Sequence, residues 1–498
     1  MPNDDWARID EHKLKPLTSL FTEEPDRLAR LSRQIAGIYF DWSKTHLDRE
    51  LLAAFVAVAR AKGFASARED LFAGQIVNVS EGRPADHLAE RGSGTPDAVE
   101  LASSRRTRMR ALIDAIEAGA FGEVTGVLHI GIGGSVLGPH LLVDALANAG
   151  LRLDVSFLSN IDPQAFDDAI AVLDPATTLV VAVSKTFTTA ETMANLDAAM
   201  AWMRGAGVAD PYGQVIAVTA SPDGALHAGI DESRILSFSE GVGGRYSLWS
   251  AVSVTAALAL GWDAFEELLE GAAEMDRHFR YTETEQNMPL IAAFADLTAR
   301  QKLKCQSRGV FPYDERLRLL VPYLQQLEME SNGKSVEADG NPVGRPTAPV
   351  TWGGVGTDAQ HAVFQLLHQG SETVPVEFLA VVEAESVLPA HHRQLLLNAF
   401  AQGAALMRGR KSDDPHRSEQ GNRPSSTILL DRLDARTLGA LIAFYEHRTF
   451  ANAVLLGINP FDQFGVELGK QIARELAEGE GEEDLDSSTR ALMERAGL

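Results

Sequence analysis

The chain has one cysteine, Cys305, in 498 residues. It cannot close an internal disulfide, which excludes the cross-linked secreted scaffolds and points to a reducing compartment. No run approaches the about 18 apolar residues that a membrane-spanning helix needs. The opening, Met1-Pro2-Asn3-Asp4-Asp5, is acidic and lacks a basic segment followed by an apolar one, so no secretory signal is expected and the cytoplasm is the expected location. Positive charge is scarce: 45 Lys and Arg against 69 Asp and Glu leave a net charge of −24, which disfavours nucleic acid as a partner. Repeats of solenoid length are absent too. What remains is the composition of a soluble globular protein, 45% hydrophobic and 23% charged. Its length predicts two or three domains of about 100–200 residues each.

The texture of the chain changes once near residue 119. Residues 1–118 read as mostly helical, with apolar residues at helical spacing in 51–61 and 109–118. After that, short apolar, β-branched runs alternate with helical stretches. They are Gly126-Val127-Leu128-His129-Ile130, then 153–158, 178–183 and 215–219, each followed by a Gly, Ser or Thr-rich loop. This alternation predicts a parallel sheet covered by helices. A helical stretch follows over about 246–278. A second, weaker alternation begins near Lys304, with its clearest strands at 376–382 and 427–430. Residues 435–477 read as helices broken at Gly457-Ile458-Asn459-Pro460. The expected architecture is α/β: two sandwiches with parallel-rich sheets and helical additions at both ends, divided as 1–118, 119–265 and 266–498.

An anionic ligand would be repelled by the field of the whole chain, so any site for one must be locally positive. Three loops offer such chemistry. Gly131-Ile132-Gly133-Gly134-Ser135 follows an apolar strand. Its glycines permit close backbone approach to a ligand, or simply a tight strand-to-helix turn. The dinucleotide fingerprint fails, because its third glycine position is Val136. Ser184-Lys185-Thr186-Phe187-Thr188-Thr189 places four hydroxyls and a lysine between a strand and a helix that begins near Glu191. It reads as an anion cradle at a helix N-terminus or as a cluster of capping residues. Arg245 follows Gly243-Gly244 after the strand-like Ile235-Leu236-Ser237-Phe238, at the strand end where open α/β sheets bind ligands.

Three further residues are unremarkable when read alone. Glu330 lies in Gln325-Gln326-Leu327-Glu328-Met329-Glu330-Ser331-Asn332-Gly333-Lys334, four residues after Gln326 and on the same helix face. By itself it reads as a solvated carboxylate at a helix end. His361 and His368 are seven apart, whereas metal pairs on helices are usually about four apart. His361 therefore reads as a cap or core residue, with no metal implied. Lys470, in Phe464-Gly465-Val466-Glu467-Leu468-Gly469-Lys470, reads as an exposed helix lysine.

Taken together and in this order, these segments resemble the phosphoglucose isomerase family. So do Asp41-Trp42-Ser43-Lys44, Glu81-Gly82-Arg83 with His87, and Gly421-Asn422-Arg423-Pro424-Ser425. The matches run from about residue 40 to about residue 475. The resemblance implies two sugar-isomerase (SIS) domains and reversible aldose–ketose isomerisation of glucose 6-phosphate to fructose 6-phosphate, with no cofactor. It implies Glu330 as the base that moves a proton between C1 and C2, and Arg245 as the cation that holds the enediolate. It implies His361, assisted by Lys470, in ring opening. Ser184, Lys185, Thr186 and Thr189 are implied to hold the phosphate, with Gly134 and Ser135 close by and Gln326 and Gln463 orienting sugar hydroxyls. A homodimer is also implied, with His361 supplied by the partner. A SIS-type regulator that binds sugar phosphates without catalysis is the alternative, and it would have no need of the base, the histidine or the lysine. The chain departs from the family pattern at Val136, often Asp, and at Asp358-Ala359, commonly Asn-Gly or Asn-Ser. It departs again at Pro84-Ala85-Asp86, usually an apolar run.

Overall fold

The first strands in the chain lie inside the N-terminal helical segment. They are β1 (Ser32–Ile35) and β2 (Ile38–Asp41), paired antiparallel around Ala36-Gly37. Both turn residues have positive φ, 51° and 75°, as a tight two-residue hairpin requires. The later strands are β3 (Gly126–Ile130), β4 (Asp154–Leu158), β5 (Thr178–Val183), β6 (Val215–Thr219), β7 (Ile235–Ser237), β8 (Ser307–Tyr313), β9 (Val350–Gly353), β10 (Val376–Val381) and β11 (Ser425–Leu430). This computed structural model describes residues 6–383 and 387–498, so the acidic opening lies outside the described residues. The chain divides into two compact units, Met1–Pro460 and Phe461–Leu498.

β3 to β7 form one sheet in the order β4-β3-β5-β6-β7, with every neighbouring pair parallel. β3, β5 and β6 are buried at every position. Continuous apolar runs are what strands covered on both faces require. The strand order reverses direction between β3 and β5. A reversal of this kind opens a crevice at the carboxyl ends of the strands. Residues 131–135 leave β3 there, and residues 184–189 leave β5.

The second sheet has the order β1-β2-β11-β10-β8-β9. β8 to β11 are parallel, and β2 runs antiparallel to β11. The N-terminal hairpin thus completes a sheet whose other strands lie beyond residue 300. One buried carboxylate, Glu377 on β10, ties the sheet together. It accepts from Arg308 Nη1 on β8 (2.9 Å), Ser426 Oγ on β11 (3.3 Å), and Tyr445 Oη and Arg448 Nη1 of the helix Ala435–Leu456 (both 2.7 Å). Burial pushes its pKa up. The Arg448 and Arg308 guanidiniums and the Tyr445 hydroxyl outweigh that and bring it from 4.5 to about 2.

The helix Ala435–Leu456 opens with a capping box between Asp434 and Thr437 and ends at Gly457 in the left-handed conformation. Arg91 ties the N-terminal segment to it. Its guanidinium forks onto Asp276 (2.7 Å twice) and also reaches Glu446. Among the described residues no helix is long and apolar enough to cross a membrane. The C-terminal unit holds the helices Glu467–Ala477 and Ser487–Ala496.

Candidate active site

The glycine loop after β3 is held from behind by His129, whose Nε2 lies 2.8 Å from the Ser135 carbonyl and whose Nδ1 lies 2.8 Å from Thr255 Oγ1. Burial lowers the His129 pKa to about 4, so the ring is neutral. It donates to Ser135 and accepts from Thr255. Gly134 packs directly on Gly244. A Cβ on Gly134 would stand 2.1 Å from the Gly244 carbonyl carbon, so no other residue fits. This contact sets Arg245 beside the glycine loop. On the loop's other side, a Cβ on Gly133 would stand 2.9 Å from Gln326 Nε2.

Arg245 sits in the 3₁₀ turn Gly244–Trp249 and is only 2% exposed. Its Nε donates to Ser331 Oγ (2.7 Å), its Nη1 to Glu330 Oε2 (3.2 Å) and its Nη2 to the Pro460 carbonyl (2.5 Å). Tyr246 Oη lies 2.9 Å from the same Ser331 hydroxyl, and Tyr323 Oη donates to the Arg245 carbonyl (3.3 Å). The guanidinium is therefore fixed before any substrate arrives, which gives it the preorganisation that electrostatic catalysis relies on. An arginine buried this deeply is not a surface ion-pair residue.

Gln326 and Glu330 come from a π-helical turn, Gln325–Glu330, that continues the helix Leu320–Leu324. Widened turns of this kind are rare and concentrate at functional sites. This one is braced by Glu328, which accepts from Arg308 Nη2 and from Thr351 Oγ1 (2.6 Å). The Glu330 side chain is 21% exposed. Its only hydrogen bond among the described residues is to Arg245, through Oε2, so Oε1 is open.

The hydroxyl loop after β5 turns through Phe187, buried with φ +54°. A buried aromatic residue in the left-handed region persists only where its surroundings impose it. Ser184 Oγ lies 2.9 Å from Thr189 Oγ1, and Thr186 Oγ1 lies 2.8 Å from Thr188 Oγ1. Thr189 occupies the N-cap position of the helix Ala190–Gly205, yet its side chain makes no capping bond. Lys185 Nζ donates to the carbonyls of Glu240 (2.7 Å) and Val242 (3.2 Å). Burial, and then the neighbouring Arg83, lower its pKa to about 8. Arg83 is paired with Glu81 (2.6 Å). Arg83, Lys185 and Arg245 thus gather three cations at one place on a chain of net charge −24, with Glu81 and Glu240 beside Lys185 and Glu330 beside Arg245.

The structure brings Gly134, Arg245, Gln326 and Glu330 together, with Ser135 in the same loop as Gly134. Lys185 joins Ser184, Thr186 and Thr189 to the segment that leads into Arg245. His361 is not in this group. It is exposed in the helix Gly356–Gln369 and forms no hydrogen bond or ion pair among the described residues, including with the exposed Asp358. Lys470 and Gln463 are exposed within the C-terminal unit. The sequence reading missed His129, Ser331 and the Pro460 carbonyl as supports of the site. A histidine inside an otherwise apolar strand was the one visible signal.

A family model described as phosphoglucose isomerase matches residues 41–493. The chain is 62% identical over 492 residues to the glucose-6-phosphate isomerase of Rhizorhabdus wittichii, covering 99% of this chain and 98% of that one. It is 55% identical to that of Zymomonas mobilis, over 99% and 97% of the two chains. It also resembles the crystal structure of a glucose-6-phosphate isomerase from Chlamydia trachomatis, with a TM-score of 0.89 at 30% identity over 99% and 97% of the chains. With a family model that spans most of its length and relatives that align from end to end, the chain belongs to the phosphoglucose isomerase family.

Proposed function

We propose that this chain is a glucose-6-phosphate isomerase that interconverts glucose 6-phosphate and fructose 6-phosphate in glycolysis and gluconeogenesis. The observation that carries the reading is the contact of Arg245 with Glu330. It sets a buried, immobilised cation against a carboxylate with one open oxygen, at the crevice of the first sheet. The carboxylate takes a proton from one carbon of the open-chain sugar and returns it to the neighbouring carbon. The guanidinium stabilises the enediolate formed between the two transfers. Side chains supply the positive charge, and no metal or cofactor enters the scheme.

The remaining assignments belong to the same proposal. Ser184, Lys185, Thr186 and Thr189 hold the phosphate, supported by the helix N-terminus that Thr189 leaves without a side-chain cap. Gly134 and Ser135 lie close to it. Gln326 and Gln463 orient sugar hydroxyls, and His361 with Lys470 opens the ring. An exposed histidine whose side chain has no partner among the described residues suits a residue that completes the site of a second copy, so the working form is a homodimer in the cytoplasm. The first sheet falls within 119–265 and the parallel strands of the second within 266–498, which supports that division of domains.

The direct test is to give the purified protein fructose 6-phosphate with a chelator present and to follow glucose 6-phosphate through a coupled dehydrogenase. Turnover is expected. Binding without turnover would leave a sugar-phosphate regulator instead. For the cradle, Thr186→Ala is expected to raise KM more than it lowers kcat, because the hydroxyl contacts the phosphate and not the reacting carbons. An unchanged KM would remove Thr186 from the cradle.

A further inference from the structure

The segment Ser239-Glu240-Gly241-Val242, which leads into Gly243-Gly244-Arg245, is held from two sides. On one side stands Asp86, the first residue of the 3₁₀ turn Asp86–Arg91. Ser239 Oγ donates to Asp86 Oδ2 (2.6 Å) and accepts from the Gly241 N–H (3.2 Å), while the Asp86 N–H donates to the Gly241 carbonyl (3.1 Å). The fit is close: a Cβ on Gly241 would stand 2.3 Å from Asp86 Oδ2. The Glu240 and Val242 carbonyls, which flank that of Gly241, go to the other side and receive the Lys185 ammonium. Backbone carbonyls thus alternate between Asp86 and Lys185.

We propose that Asp86, acting through Ser239, is a positioning residue that holds this turn so that its carbonyls fix the Lys185 ammonium at the phosphate cradle. This clamp rests on the isomerase reading for its link to turnover. Arg245 does not depend on the clamp, because Ser331, the Pro460 carbonyl and the Gly134–Gly244 contact hold it separately. Loosening the turn therefore weakens phosphate binding and leaves the chemical step intact.

The test compares Asp86→Ala, Ser239→Ala, the double variant and Asp86→Asn in steady-state kinetics, with direct titration of fructose 6-phosphate beside it. Asp86→Ala is expected to raise KM and Kd about tenfold, the order of one hydrogen bond to a charged group. Its kcat stays within about twofold of the parent, as for an interaction made equally in ground and transition states. Ser239→Ala has the same effect, the double variant loses no more than Asp86→Ala, and Asp86→Asn, which still accepts from Ser239, restores the parent values. Unchanged KM and Kd in both single variants would overturn the proposal. So would a fall in kcat with lowered thermal stability, which marks general loosening. If the parent binds fructose 6-phosphate without converting it, the isomerase reading fails, and the Kd series alone decides on the clamp.

Discussion

Glu330→Gln is expected to remove isomerisation and leave fructose 6-phosphate binding within a few-fold of the parent. The amide has the volume and shape of the carboxylate but cannot accept a proton from carbon. Arg245 keeps its place, since Ser331 and the Pro460 carbonyl hold two of its three nitrogens without help from Glu330. The rate should fall by about 10²–10⁴-fold, the range for loss of a general base. Calorimetric titration beside the coupled assay checks this, and binding lost together with turnover would contradict the assignment. The same variant tests the shared site. Co-expressed with His361→Ala, it should recover about a quarter of parental activity, because half of randomly assorted dimers are hybrids with one intact site each. No recovery would remove His361 from the partner's site.

Glu377→Gln is expected to have the largest effect on stability. The variant keeps the volume and removes the charge, leaving Arg308 and Arg448 buried against a neutral amide. Breaking a buried ion-pair group by removing one partner costs about 3–5 kcal/mol. Here Glu328 and Asp296 still face the two arginines, which favours the lower end. The midpoint of thermal unfolding should drop by several degrees. The pH dependence follows from the sign of the shift. A carboxyl with its folded pKa lowered from 4.5 to about 2 contributes stability that is complete above about 4.5 and is lost as pH falls towards 2. The parent should lose this stabilisation on acidification, and the variant should lack that component. Equal midpoints for parent and variant at neutral pH would contradict the account. Since Arg308 also bonds Glu328 in the π turn that carries Glu330, the variant should lose activity as well.

The first sheet was legible because its three central strands, β3, β5 and β6, are buried on both faces. β3, β5 and β6 have the bounds that their apolar runs predict, and β4 differs by one residue. The second sheet was legible in part. β10 and β11 were visible, but β8 contains Arg308, Gly309 and Pro312. Its arginine is buried only because Glu377 and Glu328, both distant in sequence, neutralise it. β1 reads Ser-Arg-Gln-Ile, a polar edge strand with no apolar signature. At the site, the loops at 131–135 and 184–189 stood out as glycines and hydroxyls at strand ends, although a tight turn and a cluster of capping residues read the same way. Glu330 did not: the π turn and the arginine that distinguish it from a solvated carboxylate appear only in three dimensions. His361 and Lys470 were identified by family resemblance alone, and both are exposed.

The central claim is that Glu330 moves a proton between two carbons through an enediolate. Equilibration of fructose 6-phosphate in D₂O, with the carbon-bound hydrogens of the product read by NMR, tests it most directly. A proton held on a partly exposed carboxyl exchanges with solvent, so deuterium should appear at C2 of glucose 6-phosphate. Equilibration with no carbon-bound deuterium would contradict the account, in which the proton rests on a carboxyl open to solvent.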